Sequence, residues 1–261
     1  MKVTGILSIS NGAGLHYPYS VVVHSLQRMC DNVIVGVDPN FPVDRQTLER
    51  VDLGGVEIVD SPWDRTNRNA GSEIAIQMDA LVESAGSRGS DWVVVMQADE
   101  LFHDEDFGML RTFMERSPKV TGFLTKRLYF WKDLETVRTD WNAELVRVFR
   151  PGTYSFMAEG TDRAGMYSGQ TAPGEERALP YPIYHYSRVD SPKVISRRVR
   201  NLDSFFHTEG ALIPQDELPE YDFVMREYDN FSKSGFPAEV KGKLEEFYGT
   251  HPIGIKEWYN V

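Results

Sequence analysis

DWVVVMQADELFHDED, residues Asp91–Asp106, is the stretch on which the reading of this chain turns. It opens with an apolar run, Trp92 to Met96, too short to cross a membrane and suited to a buried parallel strand. The run stops at Gln97, and Asp99 and Glu100 follow at once. A carboxylate at the C-terminal edge of a buried strand lies where open α/β sheets bind ligands. An anion there needs a counter-charge. A divalent cation carrying a diphosphate supplies one, because Mg²⁺-type ions are held by one or two carboxylates plus substrate phosphates. The plainer reading is an acidic turn, with Asp104 capping the helix that carries Phe107, Leu110, Phe113 and Met114.

Working outward, the preceding residues alternate strand and helix. Ile6 to Ile9 reads as a strand closed by the turn Ser10-Asn11-Gly12. Tyr17 to Cys30 reads as a helix, with Pro18 in its first turn and Val22, Leu26 and Met29 at helical spacing. Asn32 to Val37 is a second strand ending in Asp38-Pro39-Asn40. Asp44 is placed to cap a short helix carrying Leu48 and Val51. Val56 to Val59 is a third strand. From Ser72 a helix presents Ile74, Met78, Leu81, Val82 and Ala85 on one face. This alternation implies a mostly parallel sheet.

Beyond the acidic stretch the pattern changes. Thr121 to Trp131 and Glu144 to Phe149 read as longer strands, and Tyr154 to Pro182 as irregular and glycine-rich. Ile183 to Tyr186 reads as a short strand, Ser191-Pro192 as a helix start, and Ala238 to Phe247 as a final helix. In Tyr184-His185-Tyr186 the histidine must face away from both tyrosines if the segment is extended.

Composition bounds the function. The chain has 261 residues, enough for one large α/β domain or two small ones, with 41% hydrophobic and 12% aromatic residues. A net charge of −11 argues against broad docking on nucleic acid or anionic membranes. Cys30 is the single cysteine, which rules out an intrachain disulfide and a cysteine-rich zinc site. No apolar run approaches the roughly 20 residues of a spanning helix, and the opening residues lack a signal-peptide core. A cytoplasmic setting is the expectation.

Several short motifs, in order, carry a resemblance. They are Tyr17-Pro18-Tyr19, Trp63-Asp64, Asn69-Ala70-Gly71 leading into Ile74-Ala75-Ile76-Gln77, and Asp91-Trp92 through Gln97-Ala98-Asp99-Glu100. Val146 to Arg150, Ile183 to Tyr186 and Gly249-Thr250-His251-Pro252 complete the set. Together they span nearly the whole chain. The chain resembles the GT-A fold nucleotide-sugar glycosyltransferases of the family-2 type, in a subgroup whose acidic motif reads Gln-Ala-Asp-Glu in place of Asp-x-Asp.

The resemblance implies a Rossmann-like α/β fold with a mostly parallel central sheet and a variable C-terminal part. No Pro/Gly/Ser linker separates the halves, so one domain is expected, with a nucleotide-binding half, residues 1–118, and an acceptor half, residues 119–261, ending in helices. The resemblance also implies a UDP- or GDP-sugar donor, Mn²⁺ or Mg²⁺, and inverting transfer to an acceptor hydroxyl. Donor contacts fall on Ile9, Ser10, Asn11, Asp38, Gln77, Gln97, Ala98 and Asp99. Gln77 stands where an Arg-Asn pair is usual, and Gln97 where the first Asp is usual, which leaves Asp99 as the metal carboxylate. His185 matches a late histidine that completes the metal or diphosphate site. Asp162, in Glu159-Gly160-Thr161-Asp162, is the candidate general base, with Glu159 and Asp140 as rivals. His103 is read first as a solvated turn residue, with the metal as its alternative, His251 equally as a turn cap or as a residue closing over the donor, and His16 and His24 as surface or packing residues. Lys193, Arg197, Arg198 and Arg200 are read as mainly solvated, with one or two able to reach a diphosphate. Trp63, Trp131 and Trp141 are read as core.

The sequence names neither acceptor nor sugar, and its acidity counts against a nucleic-acid acceptor. Two rival functions stand. A sugar nucleotidyltransferase needs a glycine-rich, basic phosphate loop after the first strand, and Ser10-Asn11-Gly12-Ala13-Gly14 has the glycines without Lys or Arg. A non-catalytic nucleotide- or sugar-binding module would make Gln97 the mark of a decayed metal site.

Overall fold

Val3–Ile9 (β1), Asn32–Val37 (β2), Val56–Asp60 (β3) and Trp92–Met96 (β4) pair in parallel, β4 beside β1, β1 beside β2 and β2 beside β3. Their β-branched runs bury both faces, as every residue of β1 and β4 shows. The structure is a computed structural model, and it describes residues 1–50, 54–67, 69–139, 144–156, 168–206 and 244–260. Val120–Thr125 (β6), Leu145–Phe149 (β9) and Glu175–Ala178 (β12) extend the sheet in the order β12-β6-β9-β4-β1-β2-β3. Only β9 runs against its neighbours, so the class is mixed α/β with a largely parallel sheet.

The helices cover this sheet with the faces their periodicity marks. Tyr19–Met29 (α1) buries Val22, Leu26 and Met29; Ser72–Ser87 (α3) buries Ile74, Met78, Leu81, Val82 and Ala85. Pro42–Glu49 (α2) buries Leu48, whereas Val51 lies outside the described residues. Phe107–Glu115 (α4) buries Phe107, Leu110 and Met114.

A second sheet was not foreseen. Glu100–Phe102 (β5), Arg127–Lys132 (β7), Thr136–Arg138 (β8), Ile183–Val189 (β13) and Leu244–Glu246 (β14) pair in the order β14-β8-β7-β13-β5. The strand expected over Thr121 to Trp131 is therefore two, β6 and β7, broken at Lys126 and lodged in different sheets. The helix expected to run to Phe247 is corrected at its end: Leu244 to Glu246 is extended and pairs with β8. The segment called irregular holds β12 and a two-stranded piece, Tyr154–Ser155 (β10) with Gly169–Gln170 (β11). Pro192–Phe206 (α5) packs Ile195 and Val199 on Tyr129 and Trp131 of β7, and Ile255–Trp258 (α6) closes the described chain. One hydrophobic cluster joins Val3, Trp92, Phe130, Tyr186 and Ile255, residues from both halves of the sequence.

Both proposed aspartate caps are reassigned. Phe41 precedes α2, and the Asp44 carboxylate instead accepts from the backbone N–H groups of Gly12 and Ala13 at 2.9 and 2.7 Å. His103 caps the single 3-10 turn before α4, accepting from Glu105 N at 3.3 Å. Asp104 is drawn to Arg28 at 2.5 Å and to Ile253 N at 2.7 Å. Asp44, 0% exposed, satisfies those distant amides out of water, whereas half-buried Asp104 takes exposed partners.

Candidate functional site

Asp99 and Glu100 are adjacent, yet they serve different neighbourhoods. After β4 ends, Glu100 N donates to Gln97 O at 3.1 Å, and this tight turn starts β5 at Glu100. Asp99 stays in the turn, Glu100 is the first residue of β5, and the two carboxylates take different partners. Gln97 and Ala98, which precede Asp99 in the link from β4 to β5, lie half-buried.

Glu100 is fully buried. It accepts from Arg147 Nε at 2.9 Å, Arg147 Nη2 at 3.3 Å, Arg127 Nη1 at 3.4 Å and Gln97 N at 3.3 Å. Burial opposes its charge, but Arg147, with His185 and Arg127 behind it, outweighs burial and holds the carboxyl down at about 2. Arg147 is 0% exposed and Arg127 nearly so. The carboxylate is thus a structural counter-ion for guanidiniums.

Asp99, 5% exposed, turns to His185 of β13, 3% exposed, with Oδ2 and Nε2 3.6 Å apart. Tyr186 N donates to Asp99 O at 3.0 Å, so the backbone fixes the pair. The alternation expected of Tyr-His-Tyr is present. Tyr184 and Tyr186 stack on Phe130 with centroids 5.8 and 4.8 Å away, and His185 sits edge-on to Tyr129 at 4.5 Å. The imidazole is more enclosed than a cleft-facing residue. Arg127 Nη1 lies 3.4 Å from its Nδ1. Nearby phenols stay neutral: burial, then the Asp99 charge, pushes Tyr17 well up, and burial raises Tyr129.

These residues fit a divalent cation bound together with a phosphorylated ligand. Among the described residues no group of three or more His, Cys, Asp or Glu could hold an ion unaided. One buried carboxylate with phosphate oxygens and water is the usual Mg²⁺ arrangement, and Mn²⁺ accepts the same oxygen donors.

The ends of β1 and β2 form a second polar group. Ile9 is buried at the end of β1. Ser10 Oγ donates to Asp38 Oδ2 at 2.6 Å, and Asp38 Oδ1 accepts from Asn40 N at 3.1 Å and Asn40 Nδ2 at 2.9 Å. Asp38 is 0% exposed and already well supplied with donors, so it shapes the turn. Asn11 takes a left-handed φ of 62°. A side chain at Gly12 would meet the Tyr19 ring at 2.8 Å and Ile9 at 2.9 Å, which explains glycine there.

Arg65 was missed. Its guanidinium bonds Ser10 Oγ, lies 3.9 Å from Asp38 Oδ2, and is flanked by the rings of Phe41 and Phe205 at 4.9 and 5.0 Å. The signal available was two basic residues, Arg65 and Arg68, in the polar loop after β3. Gln77 is buried with its amide committed: it accepts from Ser61 Oγ at 2.6 Å and donates to Glu73 Oε1 at 2.7 Å and Pro62 O at 3.0 Å. Asp162, Glu159, Asp140 and Trp141 lie outside the described residues. The segment before the first two is gripped by Asp79, which accepts from Ser155 Oγ at 2.5 Å and Phe156 N at 2.8 Å.

Other singled-out residues have structural work. Arg198 is buried and donates to the carbonyls of Leu15 at 2.8 Å and Val189 at 2.9 Å and to that of His16, tying α5 to the loop after β1. It is therefore not a solvated helix charge; Lys193 and Arg197 are exposed and Arg200 is half-buried. His16 pairs with Asp190 at 2.5 Å and stacks on Trp258. Trp131 is core; Trp63 packs against Phe205 at 5.3 Å. His251 sits between Leu134 O at 2.9 Å and Tyr186 Oη at 3.0 Å, and burial holds its pKa below the ordinary 6.5.

Two predictions follow from these contacts. For His251 the unfolded chain binds the proton more readily, so its contribution is complete above about pH 6.5 and shrinks as pH falls below that value. The melting temperature of the wild type should fall on acidification through this window more steeply than that of His251→Gln. Asp44→Ala should destabilise by about 1–3 kcal/mol, the cost of leaving buried amides unpaired; urea unfolding measures it, and loss below 0.5 kcal/mol would mean water replaces the carboxylate.

No protein-family model matches the chain, and no curated protein does. Solved structures do match it. Staphylococcus aureus TarS, residues 1–349, aligns over 92% of this chain and 82% of its own with a TM-score of 0.43 and 12% identity. The 4-diphosphocytidyl-2C-methyl-D-erythritol synthase of Anaerococcus prevotii aligns over 76% of this chain and 97% of its own, at 0.45 and 11%. The mannosyltransferase PcManGT of Pyrobaculum calidifontis, in complex with GDP-Man and Mn²⁺, aligns over 48% of this chain and 35% of its own, at 0.35 and 18%. No helix among the described residues is long and apolar enough to cross a membrane.

Proposed function

We propose that this protein is a glycosyltransferase that moves a sugar from a nucleoside-diphosphate donor to an acceptor hydroxyl, assisted by Mn²⁺ or Mg²⁺. The observation that carries the reading is the buried Asp99–His185 couple at the C-terminal end of β4, the sheet edge that also holds the Ser10–Asp38–Arg65 group. Asp99 would hold the cation, which would supply Lewis-acid stabilisation of the charge on the leaving diphosphate. Ser10, Asn11 and Arg65 line the nucleoside end, and Gln97 and Ala98 bring the backbone of the turn against the donor. UDP- and GDP-sugars are the proposed donors. Gln77 supports this edge from behind, through Ser61 and Pro62. Asp162 is the proposed base on the acceptor hydroxyl, a role worth about 10²- to 10⁴-fold in rate, and the transfer is proposed to invert the anomeric centre.

One contact favours this reading over nucleotidyl transfer. The N–H groups of Gly12 and Ala13, which a phosphate-binding loop would offer to its nucleotide, are taken by Asp44. The deciding experiment incubates the protein with UDP-glucose, UDP-N-acetylglucosamine and GDP-mannose, with and without Mn²⁺. Cation-dependent release of the nucleoside diphosphate supports the proposal. Pyrophosphate released from a nucleoside triphosphate and a sugar phosphate would replace it with the nucleotidyltransferase reading. Saturable binding with no turnover of any donor would replace it with the binding-module reading.

A further inference from the structure

The two ring nitrogens of His185 face different partners. Nδ1 lies 3.4 Å from Arg127 Nη1, and Nε2 lies 3.6 Å from Asp99 Oδ2. A guanidinium has donors and no acceptor, and it keeps its charge in proteins. Nδ1 is therefore the acceptor of that contact, and its lone pair is engaged. A neutral imidazole with a bare Nδ1 carries its proton on Nε2. That proton points at Asp99.

Arg127 cannot easily turn away. Its Nη1 also reaches Glu100 Oε1 at 3.4 Å, and Glu100 is held in turn by Arg147 at 2.9 Å. The strands fix the register: β13 lies between β5 and β7, with His185 opposite Glu100 on one side and Tyr129 on the other. Arg127 is two residues from Tyr129 and so shares its face of β7. Cation ligation through Nε2 needs a lone pair there and the proton on Nδ1. That tautomer would set one N–H against the N–H of Arg127.

We infer that His185 serves this site as a hydrogen-bond donor through Nε2, with Arg127 as the positioning residue that selects the tautomer, and that His185 is not a ligand of the cation. The Nε2 proton faces Asp99 Oδ2, 3.6 Å away, and leaves the other carboxylate oxygen for the cation. This deepens the proposed donor site and rests on it for the ligand, but the tautomer belongs to the free protein.

The test is long-range ¹H–¹⁵N correlation on uniformly ¹⁵N-labelled protein at about pH 8, above the ordinary imidazole pKa. The His185 signals are identified by their loss in His185→Gln. The expected pattern is that of the Nε2–H tautomer in the free protein, unchanged when MgCl₂ and UDP are added. Arg127→Met should move the tautomer ratio toward Nδ1–H by tenfold or more, and Arg127→Lys, which keeps a donor, should retain the wild-type pattern. An Nδ1–H pattern in the free wild type overturns the inference, and so does a switch to Nδ1–H on adding MgCl₂ and UDP, the signature of ligation through Nε2. An unaltered ratio in folded Arg127→Met removes Arg127 from the role. If Arg127→Met does not fold, the wild-type spectra still decide. Failure of UDP to bind in any of these samples counts against the donor site itself and leaves the free-protein tautomer as a separate result.

Discussion

Glu100→Ala lowers the unfolding free energy by about 3–5 kcal/mol, because it leaves the buried guanidiniums of Arg147 and Arg127 without the carboxylate they share. Typical domains have only about 5–15 kcal/mol to lose. The same residue sets the acid limb of stability. Its folded carboxyl titrates at about 2 against an ordinary 4.5. A depressed pKa means the unfolded chain binds the proton first. The contribution is therefore complete above about pH 4.5 and is lost as pH falls through about 2, amounting to about 3 kcal/mol. Urea unfolding at neutral pH and at about pH 3 measures both effects. The wild type should weaken on acidification far more than Glu100→Ala. Equal acid sensitivity would show that other carboxylates carry the limb. Pairing Glu100→Leu with Arg147→Met should recover much of the loss, since an apolar pair can replace a buried ion pair.

Asp99→Asn has the opposite profile: the fold persists and cation-dependent binding of nucleoside diphosphate falls by about 2–5 kcal/mol, roughly 30-fold to several thousand-fold. The fold persists because the backbone of Asp99 keeps its bond from Tyr186 N, and the side chain is not the counter-ion of the arginine network. Calorimetry of UDP or GDP with Mn²⁺ on both proteins reads the loss. Equal affinities would remove Asp99 from the site and, with it, the reading of the acidic turn. The contrast between these neighbouring carboxylates is the sharpest expectation of the site: one should cost stability and spare binding, and the other the reverse.

The sequence by itself determined the elements whose apolar pattern is local. β4 ran from Trp92 to Met96 as its apolar run implied, β2 from Asn32 to Val37, and α3 buried the five positions its period marked. Periodicity is legible because strand and helix each bury one recurring face, whatever they pack against. The turn after β4, with Asp99 at a sheet edge, was legible for the same reason.

Tertiary structure decided which polar groups meet. Nothing in residues 97–103 shows that Glu100 begins a strand, because β5 is only Glu100–Phe102 and exists by pairing with β13 across more than eighty positions. That pairing separates Glu100 from Asp99, hands Glu100 to Arg147 and Arg127, and lays His185 beside Asp99. The break at Lys126 was hidden because both flanking stretches have strand composition and differ only in the sheet they join. Asp44 and Asp104 read as helix caps because sequence shows only neighbouring donors, whereas folding brings Gly12, Ala13, Arg28 and Ile253 within reach. A buried carboxylate settles on the donors that replace its lost water most completely, and those donors are chosen by the packing of distant elements.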